Sequence, residues 1–146
     1  VSNSLMFMAA ILGVDFTLVC PEGHEPDDAL LNKAKIFAVE SGSKLVLTSD
    51  VESIGQQDAI YTDTWVSMGD EDPSKKAALL EKFAPYQVNH KMMENSGASI
   101  VMHCQPAHLE EEITTALFDS EMSVVFQEAE NRMWAQNAVL VTLLAN

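Results

Sequence analysis

Apolar and polar positions change their spacing along the chain in a regular order. Short apolar runs, typical of buried strands, alternate with longer stretches in which apolar residues recur every three or four positions, typical of helices. The strand-like runs are DFTLVC, KLVLT, AIYTD, ASIVMHC and SVVF, at 15–20, 44–48, 59–63, 98–104 and 123–126. Because helical stretches separate these runs, the pattern predicts an α/β fold with a doubly wound parallel sheet of five strands and helices on both faces.

Glycine, proline and small polar residues predict where the helices begin and end. The first helix is expected to start from an N-cap within 2–4 and to stop at Gly13, and the second to have Pro26 in its first turn and to stop at Gly42. The last helix, 128–146, has little polar face, so we expect it to be buried on more than one side, and to expose an apolar patch wherever its packing partner is missing.

The predicted sheet, which is Rossmann-like, also predicts where a ligand binds. Open α/β sheets bind ligands in the crevice beyond the carboxyl ends of their strands. Three segments bring reactive or polar side chains to that edge after the third, fourth and fifth strands: Asp63, Ser67 and Met68, then His103 and Cys104, then Arg132.

Composition limits what such a site binds. The chain has 146 residues, of which 47% are apolar, which suits one domain spanning 1–146. A net charge of −14 disfavours binding to nucleic acid. No apolar run reaches the ~18 residues of a membrane span, and the separated Cys20 and Cys104 favour a reducing compartment, so we expect a cytoplasmic protein. Because the chain starts inside an apolar helical pattern without methionine, we also expect a fragment of a longer protein.

The turn MHCQPAH, 102–108, admits three interpretations. His103, Cys104 and His108 could bind a metal ion, but a structural zinc site needs four ligands in spaced pairs, and no second pair exists. Cys104 beside His103 could be a nucleophile, although Pro106 fixes a turn unlike a nucleophile elbow. The third interpretation is a thiol that contacts a substrate without becoming covalent.

Two further patterns bear on the ligand. The loop after the first strand, PEGHEPDD, has one glycine and lacks the G-x-G-x-x-G of dinucleotide sites. In TDTWVSMG, a carboxylate at Asp63 and a hydroxyl at Ser67 follow a strand end, so they are able to converge on a small cationic or zwitterionic group. An ordinary Asp-capped turn before an acidic loop is the competing interpretation.

Four segments together resemble a known family. TDTWVSMG, YQVNHKMM, MHCQPA and VVFQEAENRMWAQNAVLVTLL, in this order, are similar to the second, ornithine-binding domain of ornithine carbamoyltransferases. The resemblance covers essentially the whole chain. The SMG loop and the cysteine in the H-C-x-P turn distinguish the ornithine enzymes from their aspartate relatives.

The resemblance implies roles for individual residues. Asp63, Ser67 and Met68 would hold the α-amino and α-carboxylate ends of L-ornithine, Cys104 and the backbone of Gln105 would contact the δ-amine and the carbamoyl group, and Arg132 would contact carbamoyl phosphate. The δ-amine would then attack the carbamoyl carbon and release phosphate and citrulline, in arginine biosynthesis. No metal and no organic cofactor are implied, and the full enzyme would be a homotrimer.

Two departures from the family qualify this expectation. Gln105 stands where the family usually has leucine, and Arg132 is the only arginine, whereas a phosphorylated substrate requires several cations or backbone donors. We therefore expect activity to require the family's first domain, which binds carbamoyl phosphate, and we expect this chain alone to be inactive. The alternatives are a carbamoyltransferase for another amine, such as putrescine, and a non-catalytic α/β binding module.

Overall fold

The computed structural model describes residues 1–66 and 73–145, with 73–75 described by their backbone only. The chain divides into two compact units, Val1–Gly55 with Met68–Tyr86, and Gln56–Ser67 with Gln87–Asn146. Each unit contains one pair of parallel strands with helices, so the α/β class expected from the sequence is confirmed.

The first unit is built on the parallel pair β1 and β2. Its elements are α1 (Ser2–Leu12), β1 (Phe16–Val19), α2 (Asp28–Ser41), β2 (Leu45–Thr48), a 3-10 helix (Val51–Ser53), α3 (Pro73–Phe83) and a second 3-10 helix (Ala84–Tyr86). The register pairs Phe16 with Leu45 and Val19 with Thr48, so both strands end at the same edge.

Small residues let the first two helices of this unit pack closely. Met6, Ala9 and Ala10 of α1 and Ala34 and Ala38 of α2 are buried, and alanine side chains allow a short distance between helix axes. Both helices end at a glycine in the left-handed conformation, Gly13 and Gly42, as expected. Pro26 is outside α2, because the Asp27 side chain accepts a hydrogen bond from the Ala29 N–H and caps the helix at that point.

The second unit is built on the parallel pair β3 and β4. Its elements are β3 (Ala59–Thr62), α4 (His90–Ser96), β4 (Ile100–His103), α5 (Thr115–Phe118) and α6 (Val125–Leu144). The register pairs Ala59 with Ile100 and Thr62 with His103. Its core joins the strands to the loops and helices around them through Val88, Met93, Ala98, Val101, Ile113 and Leu117.

The end of the chain differs from the expected pattern at the fifth strand and along the last helix. The predicted fifth strand is reduced to one parallel bridge between Val101 and Ser123, because α6 already begins at Val125. In α6, Val125 is fully buried, but from Phe126 to the end of the described residues every side chain except Glu128 is exposed. No described element covers this helix beyond its first turn. The described residues therefore do not supply burial on more than one side, and the apolar patch expected without a packing partner is exposed.

Candidate active site

Asp63 and Cys104 meet at the carboxyl ends of β3 and β4. Thr62 pairs with His103 in the parallel register, so the next residue of each strand leaves the sheet at the same edge. The Cys104 thiol donates a hydrogen bond to Oδ1 of Asp63 at 2.8 Å. The same oxygen accepts from the Thr64 N–H at 2.8 Å. All hydrogen bonds from described residues to this carboxylate go to Oδ1, which leaves Oδ2 for a ligand.

The environment of Cys104 keeps its thiol protonated. Partial burial, followed by the hydrogen bond to Asp63 and the negative charge of that carboxylate, raises the pKa of Cys104 to about 12. A thiol in this state is a poor nucleophile at neutral pH, because the thiolate is the reactive form. Of the interpretations of this turn, the geometry favours a non-covalent polar contact.

Glu128, in the first turn of α6, fastens the two strand ends together. Its Oε1 accepts the Tyr61 hydroxyl at 2.7 Å, and its Oε2 accepts the His103 backbone N–H at 3.1 Å. Burial and this hydrogen bond raise the pKa of Tyr61, so its hydroxyl stays a donor. One carboxylate therefore holds β3 and β4 in register directly behind Asp63 and Cys104.

His103 points away from Cys104, into the interior. Its Nε2 lies 3.0 Å from Oε1 of Glu112, and both side chains are fully buried. Its Nδ1 accepts the Gln105 backbone N–H at 2.8 Å and so carries no proton. Consequently Nε2 carries the proton and donates a hydrogen bond to Glu112. His103 therefore supports the turn without reaching a substrate.

Gln105 adopts a backbone conformation that side chains other than glycine seldom take. Its φ is 53°, and a cis peptide bond joins it to Pro106. Left-handed conformations at residues other than glycine concentrate at functional sites. Its N–H is bound to His103, and no described residue donates to its carbonyl oxygen, so the carbonyl is the backbone group left for a ligand.

The remaining expected site residues are Ser67, Met68 and Arg132. Ser67 and Met68 lie outside the described residues. Arg132 is exposed on α6. It is four residues after Glu128, so it lies on the same face of the helix, one turn further along. Among described residues, no hydrogen bond or ion pair links Arg132 to Asp63 or Cys104.

Sequence analysis missed three residues that build this edge: Tyr61, Glu112 and Glu128. Glu128 lies within a segment that resembles the family, and its place in the first helical turn after the last apolar run was the available signal. Glu112 gave none, because it belongs to an acidic run, and such runs usually face water.

The structure also bears on the metal and membrane alternatives. His103 and Cys104 diverge, so among described side chains the set His103, Cys104 and His108 forms no cluster with metal-ligand spacing. Across the described ranges, no helix combines the length and the apolar content that a membrane crossing requires.

Comparison with known proteins decides the family. The family described as aspartate/ornithine carbamoyltransferase, Asp/Orn binding domain, matches residues 1–143. The chain belongs to this carbamoyltransferase family. The matched range contains both Asp63 and Cys104, and the TDTWVSMG and MHCQPA segments that resembled the family lie within it.

Individual relatives agree with this assignment. An ornithine carbamoyltransferase of Shewanella oneidensis is 54% identical over 145 residues, which cover 99% of this chain and 48% of the relative. A relative from Thermoplasma volcanium named as catabolic ornithine carbamoyltransferase is 45% identical over 99% of this chain and 47% of its own length. The crystal structure of anabolic ornithine carbamoyltransferase from Campylobacter jejuni superposes with a TM-score of 0.89 at 32% identity, over 97% of this chain and 47% of that one. The chain thus spans about half the length of the curated relatives it matches.

Proposed function

We propose that residues 1–146 are the ornithine-binding domain of an ornithine carbamoyltransferase, which transfers the carbamoyl group of carbamoyl phosphate to the δ-amine of L-ornithine. The observation that carries the proposal is the Cys104 thiol bound to the Asp63 carboxylate at the carboxyl ends of β3 and β4. Family membership supports the substrate class. The finer fold proposed with it is a doubly wound sheet of five strands, in which the parallel bridge between Val101 and Ser123 marks the place of the fifth.

Asp63 and Cys104 divide the recognition of ornithine between them. We assign the α-ammonium group of ornithine to Asp63, because no described residue donates a hydrogen bond to its Oδ2. Ser67 and Met68 are assigned the remaining contacts to the α-amino and α-carboxylate ends. The δ-amine faces Cys104. Since only a neutral amine attacks a carbonyl carbon, a protonated thiol suits this position: it offers no negative charge that would hold the amine as ammonium.

The reaction that follows forms one bond and breaks another. The δ-nitrogen bonds to the carbamoyl carbon, and the carbon–oxygen bond to phosphate breaks. The departing phosphate accepts the proton that the amine loses, which leaves citrulline and inorganic phosphate. The Gln105 carbonyl is assigned to the carbamoyl group and Arg132 to the phosphorylated substrate. No metal or organic cofactor enters this scheme.

One arginine does not neutralise a phosphorylated substrate. Arg132 is the only arginine of the chain, and the net charge of −14 repels an anion. We therefore propose that the half of the relatives not covered by this chain binds carbamoyl phosphate, and that the chain alone has no transferase activity. A homotrimeric, cytoplasmic enzyme of arginine biosynthesis is the proposed context. Relatives named both anabolic and catabolic match, so arginine breakdown is the alternative role.

A titration of the chain with L-ornithine, followed by backbone amide NMR, tests the proposal. Half a site should bind weakly, with a dissociation constant of about 1 mM or above. Saturable shifts are expected at Asp63, Thr64 and Cys104. Putrescine, which lacks the α-carboxylate, is the control for an enzyme of another amine. Asp63→Asn should abolish the shifts while the melting temperature stays nearly unchanged.

Two outcomes would contradict the proposal. Equal shifts with putrescine and ornithine would indicate a site for a simple amine. No shifts with either compound in a folded sample would favour the non-catalytic module.

A further inference from the structure

A second cluster of polar side chains lies on the loop that follows the Cys104 turn. His108, Glu111 and Glu112 each offer one possible ligand atom, and these atoms lie within 4.8 Å of one another. The loop is held by its own backbone: the Glu111 N–H donates to the His108 carbonyl at 3.0 Å, and the Glu110 N–H donates to the Ile113 carbonyl at 2.8 Å. The proposed transfer of a carbamoyl group uses none of these three side chains.

The two oxygens of the Glu112 carboxylate have different surroundings. Oε1 accepts hydrogen bonds from His103 Nε2 and from the His108 backbone N–H. Oε2 is buried, and no described residue donates to it. A buried carboxylate oxygen without a partner is destabilising, so a cation at this oxygen would remove a cost that the protein alone leaves in place.

His108 presents a matching atom across a short gap. Its Nδ1 is buried without a hydrogen-bond partner among the described residues, and it lies 3.9 Å from Oε2 of Glu112. That distance is too long for a hydrogen bond. Two ligands that are each about 2.0–2.2 Å from one metal ion lie roughly 3.0–4.4 Å apart, so the gap has the width that a shared ion requires.

We propose that His108, Glu111 and Glu112 bind a divalent first-row transition-metal ion, with Zn²⁺ as the best fit. One imidazole nitrogen and two carboxylates are ligands that Zn²⁺ accepts, and water completes the coordination. The two carboxylates balance the charge of the ion. The His108 side chain is 40% exposed, which gives the ion a route from solvent.

The bound ion would act on the substrate turn through Glu112. The ion sits on Oε2, while Oε1 holds His103, whose Nδ1 in turn binds the Gln105 N–H. Metal binding would therefore fix the Glu112 carboxylate, which holds His103 and through it the Gln105 N–H. Cys104 is outside this ligand set, because its thiol is bound to Asp63.

Calorimetric titration of the chelator-treated chain with Zn²⁺ tests the proposal, with millimolar Mg²⁺ present to occupy the acidic surface. One ion per chain is expected, with a dissociation constant of about 10 μM or tighter. Co²⁺ is the spectroscopic probe: it should give visible bands of a nitrogen and oxygen site without the near-ultraviolet charge-transfer band of a cobalt–thiolate bond.

Three variants sharpen the test. His108→Ala removes the nitrogen ligand from a partly exposed side chain, so the fold should persist while affinity falls about 10–100-fold or is lost. Glu111→Gln should weaken binding in the same direction. His90→Ala replaces an exposed histidine outside the cluster and should leave the affinity unchanged.

Several results would overturn the proposal. Absence of stoichiometric binding to the folded chain would mean that His108 and Glu112 form only an ion pair. Equal affinity of the His108→Ala chain, or a thiolate band with Co²⁺, would place the ion elsewhere.

Discussion

The two free cysteines occupy equivalent positions in the two units, and only one belongs to the candidate site. Cys20 follows β1 by one residue, and Cys104 follows β4 by one residue. Both thiols are partly buried, and burial is the largest cause that raises the pKa of each. A cysteine at the carboxyl end of a paired parallel strand is therefore common to both units.

What differs is the second layer of side chains. Behind Cys104, the carboxylates of Glu112 and Glu128 bind the His103 side chain and backbone, and Asp63 binds the thiol itself. At the edge next to Cys20, the neighbouring polar residues Glu22, Ser49 and Asp50 are exposed. A cysteine at a strand end is therefore not sufficient for a binding site. The β3 and β4 edge differs because the carboxylates of Glu112 and Glu128 hold His103 next to the cysteine.

Removing Glu112 should give the largest effect. Glu112→Ala leaves the buried His103 Nε2–H and the partly buried His108 N–H without an acceptor, so we expect a loss of about 3 kcal/mol or more in the free energy of unfolding. Urea unfolding in the presence of a chelator measures the effect without any metal contribution. The matched control at the other edge is Glu22→Ala, an exposed residue, which should change stability by less than about 0.5 kcal/mol.

A similar, small loss in the free energy of unfolding for Glu112→Ala and Glu22→Ala would show that the carboxylates behind Cys104 do not distinguish the two sheet edges. Loss of folding in Glu112→Ala at all temperatures would agree with the prediction, and Glu112→Gln, which keeps one acceptor oxygen, would then provide the measurable value.

The reactivity of the two thiols gives the next effect in size. Asp63→Asn removes the negative charge that raises the pKa of Cys104, so the rate of alkylation by iodoacetamide at pH 8 should increase about tenfold, which corresponds to about one pKa unit. Glu25→Gln, beside Cys20, should change the Cys20 rate about twofold or less, because Glu25 acts only through its charge. Mass spectrometry of each cysteine peptide follows both rates.

The raised pKa of the Cys104 thiol should also make the stability of the chain depend on pH above 9.0. Its pKa in the folded chain, about 12, is above the ordinary value of 9.0, so the folded state retains the proton more firmly than the unfolded state. This contribution is complete below pH 9.0 and is lost as pH rises toward 12. Equal alkylation rates of Cys104 in the parent and Asp63→Asn chains would refute the role of the carboxylate.

The smallest effects concern the left-handed residues after the strands. Gly23 follows β1 with φ +84°, and its added Cβ would meet only Lys82 Nζ at 3.8 Å, so Gly23→Ala should cost about 1 kcal/mol through backbone strain alone. Gln105 has φ 53° without being glycine, so Gln105→Gly should stabilise by about 0.5 kcal/mol. Urea midpoints measure both, and destabilisation by Gln105→Gly would show that its side chain contributes more than the strain costs.

The meeting of Asp63 and Cys104 followed from the sequence because paired parallel strands end at one edge. Asp63 and Cys104 each ended an apolar run, and the predicted boundaries differed from those of β3 and β4 by at most two residues. The end of the chain was harder. Ser123–Phe126 is as apolar and β-branched as a strand, but a helix starting at Val125 places Glu128 behind β4, a tertiary contact that local propensity does not contain.

The buried carboxylates could not have been located from local pattern. Glu112 has exposed Glu110 and partly buried Glu111 as neighbours in one run of three acids, and the surroundings of each depend on how the loop folds onto β4. The sequence-based metal hypothesis likewise grouped His108 with its neighbours in the HCQPAH turn. The structure groups it with residues three and four positions later.

The protonated state of Cys104 also bears on oxidative damage. Hydrogen peroxide attacks thiolates, and the first product, a sulfenic acid, leads on to forms that are not reduced back. By holding the proton on the sulfur, burial and the Asp63 carboxylate together make this cysteine a slow target for peroxide. A cell under oxidative stress would lose this site more slowly than one built on a thiolate.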